Sequence, residues 1–231
     1  MRLSVKQLRR AHLFFTQQGV YPVLLSTMLA FTLYAGRVIQ SKYLTFLFLV
    51  WNLFLAWIPY LASMGAVYFH QRYPRKWWLL LPPAALWMAF FPNAPYILTD
   101  LLHLAHRPPV PYWYDIGLLI VFAWTGLFLG IYSLRLMQGM VQDYAGVVFG
   151  WMFVLASLGL SGLGIYMGRF LRWNSWDLVF HPQAVVSDIA VRLANPLDNP
   201  RTVGVTMLFA AILFISYVTL TAVPAVSTRQ N

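Results

Sequence analysis

The chain contains no cysteine and no glutamate, and only 10% of its 231 residues are charged. The missing cysteine excludes disulfides, thiolate catalysis and cysteine-ligated metals, and leaves histidine and carboxylate as the available ligand types. All six acidic residues are aspartates, at positions 100, 115, 143, 177, 188 and 198. Without glutamate, long salt-bridged helical faces are excluded, and a side chain as short as aspartate favours caps, turns and sites. Soluble domains carry about 25% charged residues. A chain that is 60% hydrophobic, with a mean hydropathy of +0.65, falls outside that class.

What is present is a series of apolar runs. Candidate spans lie at roughly 20–36, 43–69, 77–98, 115–137, 145–168 and 203–223, each near the length that crosses about 30 Å of hydrocarbon. The expected fold is therefore all-α, a polytopic membrane bundle of about six helices forming a single domain over residues 1–231. The formal net charge of +10 is gathered at the ends of the apolar runs, as in anchors to anionic lipid. Membrane lipids are thus the expected partners and nucleic acid is not; no feature specifies a protein partner. Arg2, Lys6, Arg9 and Arg10, among Leu3, Leu8, Phe14 and Phe15, suit an interfacial helix leading into the first span. No A-x-A cleavage site follows to support a signal peptide. Counting basic residues at both sides, with Arg229 at the inner C-terminus, favours both termini inside.

The least regular stretch is FFPNAPYILTDLLHLAHR, residues 90–107. Pro92 and Pro95 lack an N–H and crowd the carbonyl four residues back. With Pro82 and Pro83 they interrupt the third span twice and leave backbone groups in need of partners. An α-helix beginning near Tyr96 would gather Tyr96, Thr99, Asp100, His103, His106 and Arg107 into an arc of about 120°. That arc predicts a polar groove, with Asn93 in the opening. Asn52 and Pro59 in span two read as interhelical glue and a tolerated kink. Asp115, at the start of span four, reads first as a cap on free N–H groups.

Span five carries Ser157, Ser161, Gly164 and Gly168 on one stripe, a pattern that lets another helix approach closely. It runs into GRFLRWNSWD, residues 168–177. Arg169 and Arg172, at i and i+3, read as snorkelling side chains in an aromatic belt or as a fork for phosphate or carboxylate. Trp173 and Trp176 add cation–π or stacking surface beside Asn174 and Asp177. Within the 169–202 loop, Pro182 predicts the start of an amphipathic helix with Val185, Ile189 and Leu193 at four-residue spacing and an Asp188–Arg192 pair. Such a helix lies on the bundle or on the membrane surface.

FPNAPYILTDLLHL (91–104) and GIYMGRFLRWNSWD (164–177) resemble a bacterial family of multi-pass membrane proteins, domain of unknown function 1361. The resemblance covers most of the chain from span two onward. It implies an integral membrane protein whose motif residues include Asn93, Pro95, Thr99, Asp100, His103, Arg169, Asn174 and Asp177, and it brings no activity.

The first functional expectation is an outward-facing polar site for an anionic lipid or lipid-linked headgroup in the bacterial inner membrane. Asn93, Tyr96, Thr99, Asp100, His103, Arg169, Arg172, Trp173, Asn174, Trp176 and Asp177 are its candidate residues, the two motifs being expected to meet. The second is a metal-assisted hydrolase or transferase, with Asp100, His103, Asp115 and Asp177 as candidate ligands of a divalent ion and His106 as a further ligand or base. A small transporter built on the broken span is a third. A structural bundle pinned by ion pairs remains beside them, since charges within spans also fix helix register.

Overall fold

The computed structural model describes residues 5–222. Arg2, Leu3 and Arg229 lie outside the described residues. The helices in chain order are α1 (Val5–Gln17), α2 (Val20–Ser41), α3 (Leu47–Arg72), α4 (Leu81–Phe90), α5 (Asn93–Tyr96), α6 (Tyr112–Ala145), α7 (Val147–Tyr166), α8 (Asp177–Phe180), α9 (Pro182–Ala194) and α10 (Pro200–Ala222). Short 3₁₀ helices occupy Trp77–Leu80 and Ile97–His103, and a π-helical turn, Met167–Leu171, extends α7. No strand occurs among the described residues.

Among the described residues, five helical segments are long and apolar enough to cross a membrane: α2, α3, α6, α7 with its π turn, and α10. The expected third span is present as pieces, because Pro82 and Pro83 open α4 and Pro92 precedes α5. The chain divides into two compact units, Met1–Leu136 and Met137–Asn231, with α6 running through the boundary.

In the first unit, α1 ends where Gly19 adopts a left-handed backbone (φ 74°). Only glycine takes that conformation without strain. Space also demands it, since a Cβ at Gly19 would lie 2.8 Å from the Tyr132 ring. Leu49, Leu53, Ala56 and Tyr60 of α3 form the core with Val23 and Ala30 of α2 and with Leu118, Leu119, Phe122 and Leu129 of α6. Ala94 and Ile97 of the broken segment close the same core. Pro59 is buried inside α3, in the tolerated position its sequence context implied.

In the second unit α7 packs along α10. Their close approach is made at Gly162, where an added Cβ would run into the carbonyl oxygen of Thr206. Gly162 lies about 100° round the helix from Ser161, so the small residue that seats α10 is outside the predicted stripe. Helix α9 forms as expected, with Pro182 in its first turn. Val185 is buried with Leu163, Tyr166 and Met167, and Ile189 packs against that cluster. Leu193, the third residue of the four-residue repeat, is 61% exposed.

Candidate functional site

The polar end of the first unit begins with the broken span. Opening a helix frees carbonyls that hydrocarbon cannot serve, and the motif supplies its own donors. Asn93 Nδ2 donates to the Phe90 carbonyl at 3.1 Å and Thr99 Oγ1 to that of Tyr96 at 2.7 Å. Two candidate ligand-binding residues thereby take part in repairing the break.

Residues 97–103 wind as a 3₁₀ helix and not as the expected α-helix. With three residues per turn, positions i and i+3 eclipse, which brings His103 Nδ1 to 3.8 Å from Asp100 Oδ1. Leu104 is then extended, so His106 and Arg107 leave the predicted arc. Asp100 is buried, and Asn52 Nδ2 donates to its Oδ2 at 2.7 Å. Asn52 is glue between α3 and the motif, as its position in span two implied, and also part of the polar cluster. The His103 side chain is 42% exposed and its ring lies 4.8 Å from that of Phe48.

Asp115 does not cap α6, which begins three residues earlier, at Tyr112. Both of its oxygens accept from Arg37, Nε at 2.7 Å and Nη2 at 3.2 Å. This bidentate pair is 1% and 0% exposed. Arg37 Nη1 also reaches Ser41 Oγ at 3.5 Å, and its guanidinium lies 4.6 Å from the centroid of Phe46. Arg107 approaches the same ring at 5.2 Å. Asp115 thus serves Arg37 and does not join Asp100 and His103 as a third ligand. Among the described residues no three histidine or acidic side chains gather as a metal-binding group.

The second unit builds a cationic and aromatic end from the π turn and the loop after it. Widening to i+5 bonding removes the expected i, i+3 relation of Arg169 and Arg172. Arg172 ends the turn in the left-handed region (φ 62°), with its N–H on the Met167 carbonyl. Exposed Arg172 makes no ion pair with the described residues. Arg201, the second residue of α10, lies 4.3 Å over the Phe170 ring and is likewise without an acidic partner among the described residues. Arg192 lies 5.8 Å over Tyr166, bonds Asn199 Oδ1 at 3.2 Å and pairs with Asp188 at 3.5 Å. The predicted Asp188–Arg192 pair is therefore made.

Trp173 Nε1 donates to Asp188 Oδ2 at 2.9 Å, so this tryptophan is fastened to α9. Asp177 Oδ2 accepts from the Asn174 backbone at 2.7 Å, closing a local turn, and its Oδ1 lies 3.6 Å from His181. Trp176 is 36% exposed. Sequence reasoning did not find Arg37, Arg201, Tyr166 or Phe170. The signals were an arginine inside an apolar run, an arginine directly after the Pro200 that starts a span, and aromatics four residues apart on the last turns of α7.

Residues 51–216 match the family described as Protein of unknown function (DUF1361). The chain belongs to that family. The matched stretch of this DUF1361 protein includes Asn52, Asp100, His103, Asp115, Arg172 and Arg201, while Arg37 precedes it. No curated protein and no solved structure matches the chain.

Proposed function

We propose that this DUF1361 protein binds an anionic lipid or lipid-linked phosphate at the cationic end of its second unit. The observation that carries this reading is Arg201, held at 4.3 Å over Phe170 at the mouth of two apolar helices, with no carboxylate among the described residues to neutralise it. Arg172 is a second cation without an acidic partner there, close in sequence to the same ring. Basic side chains at a membrane surface attract anionic lipid by about 1 kcal/mol each, and a guanidinium adds planar donors that match phosphate oxygens. Stacking on a ring removes part of the ordering cost a free arginine would meet on binding. Asp188 and Asp177 do not compete for these two arginines: Asp188 is engaged by Arg192 and Trp173, and Asp177 closes its own turn.

The proposed setting is the bacterial cytoplasmic membrane, with both termini inside. The support is the basic flank of α2, where Lys6, Arg9 and Arg10 precede the span.

The test is thermal unfolding of full-length protein in nanodiscs of phosphatidylcholine with increasing phosphatidylglycerol. A ligand that binds only the folded state at 100 times its Kd stabilises by about 2.7 kcal/mol. Wild type is expected to gain stability with phosphatidylglycerol, and Arg172→Ala/Arg201→Ala to lose most of that gain while keeping its midpoint in phosphatidylcholine. An equal gain in the variant would remove the site from consideration.

A further inference from the structure

Helix α9 is apolar on two sides. Val185, Asp188, Ile189 and Arg192 share one side, within about 100° at 3.6 residues per turn. On this side Val185 and Ile189 pack with Leu163, Tyr166, Met167 and Val205. Both charges are engaged within the unit, Asp188 by Trp173 and Arg192 by Asp188 and Asn199. A second stripe, Val186, Ala190 and Leu193, falls within about 60° and points away from the cluster. Val186 and Leu193 are 59% and 61% exposed, and Leu197 just beyond the helix is 93% exposed. A helix that turns its charges inward and an apolar stripe outward inverts the pattern of a water-facing surface helix.

We propose that the Val186–Ala190–Leu193 stripe is embedded in the lipid leaflet, making α9 a membrane-inserted element of the second unit. Depth is the first argument. Val205 lies five residues inside α10, or about 7 Å from its start, and Leu163 lies about 12 Å before the end of the π turn. Both segments are long and apolar enough to cross a membrane, so the residues that seat α9 are below their ends. Interfacial helices settle about 5–10 Å into the headgroup and acyl boundary, the same level.

Continuity is the second argument. Leu160 of α7 and Val203 and Met207 of α10 are exposed apolar residues on these spans, and lipid is what covers such faces. Charge is the third. Arg172 and Arg201 have no acidic partner among the described residues, and they end the π turn and open α10, as suits anionic headgroups. The insertion of α9 does not depend on whether those arginines hold one particular lipid.

The absence of native cysteine makes the test direct. Val186→Cys, Ala190→Cys, Leu193→Cys and, as a control outside the stripe, Ser187→Cys are each labelled with a nitroxide in the full-length chain. They are reconstituted in phosphatidylcholine vesicles with and without phosphatidylglycerol. Expected is several-fold more relaxation by oxygen than by a water-soluble nickel chelate at positions 186, 190 and 193, and the reverse at 187, in both vesicle types. Nickel reaching 186, 190 and 193 as freely as 187 would overturn the proposal. So would shielding from both reagents with spin–spin broadening, which would assign the stripe to a second copy of the chain. Ala190→Cys changes a small exposed residue and keeps the test available if Leu193→Cys does not fold. Loss of the phosphatidylglycerol-dependent gain in stability would leave this result untouched, so the two proposals fail separately.

Discussion

At the scale of single residues, the strongest constraint in the first unit is Arg37 on Asp115. Sequence reasoning reads Asp115 as a cap and does not single out Arg37. A cap needs only local sequence, whereas the pair joins residues 78 positions apart, and one chain carries no sign of which distant partner a buried carboxylate takes. Removing one member leaves the other charge buried, which costs about 3–5 kcal/mol, whereas replacing both by apolar groups is often neutral or better. Asp115→Ala is expected to lower stability by that amount, and Arg37→Met/Asp115→Leu to recover most of it, in equilibrium unfolding from detergent micelles. A loss in the double variant equal to the sum of the losses in Arg37→Met and Asp115→Leu alone would show that the pair carries no coupling. The Asp100 cluster was more legible, because its i, i+3 relation to His103 is local. Asn52 entered from another helix, through a hydrogen bond to Asp100 that the spacing did not contain.

At the scale of elements, proline marked the breaks correctly, since the loss of an N–H and the clash with the preceding turn act within five residues. The winding beyond the break differs from the α-helix expected there: residues 97–103 take the tighter 3₁₀ form, and only part of the predicted arc survives. The boundaries of α9 were legible because Pro182 and the four-residue apolar repeat both act locally. The glycine that seats one helix on another was not. In the first unit Gly126 of α6 faces the broken segment so closely that a Cβ there would stand 2.5 Å from the Ala94 carbonyl oxygen and 2.9 Å from Ile97 Cδ1. Gly126→Ala must therefore push apart two backbones that cannot yield by a rotamer change, and overpacking of this kind costs about 1–3 kcal/mol. A lowered thermal midpoint is the expected outcome, and an unchanged one would mean that the segment moves freely against α6.

At the scale of the whole molecule, an all-helical membrane protein was readable from hydropathy and helix length, and five of the expected spans appear as long helices. The remaining stretch, 77–103, is in pieces, yet rises of about 1.5 Å per α residue and 2.0 Å per 3₁₀ residue give it roughly 45 Å of path, against about 30 Å of hydrocarbon. It is expected to cross. Single cysteines replacing Arg75 and Ala105, both exposed, should then react with a membrane-impermeant maleimide from opposite sides of oriented vesicles. Reaction from one side only would make the segment re-entrant and the number of crossings odd. The Arg37–Asp115 pair also sets a clock on biogenesis. When α2 leaves the ribosome its guanidinium has no carboxylate to meet, and at about 5–20 residues per second Asp115 emerges roughly 4–16 s later. Until then Arg37 must be served by water or headgroup phosphates, so the first span cannot dock in its final place before the start of α6 has been synthesised.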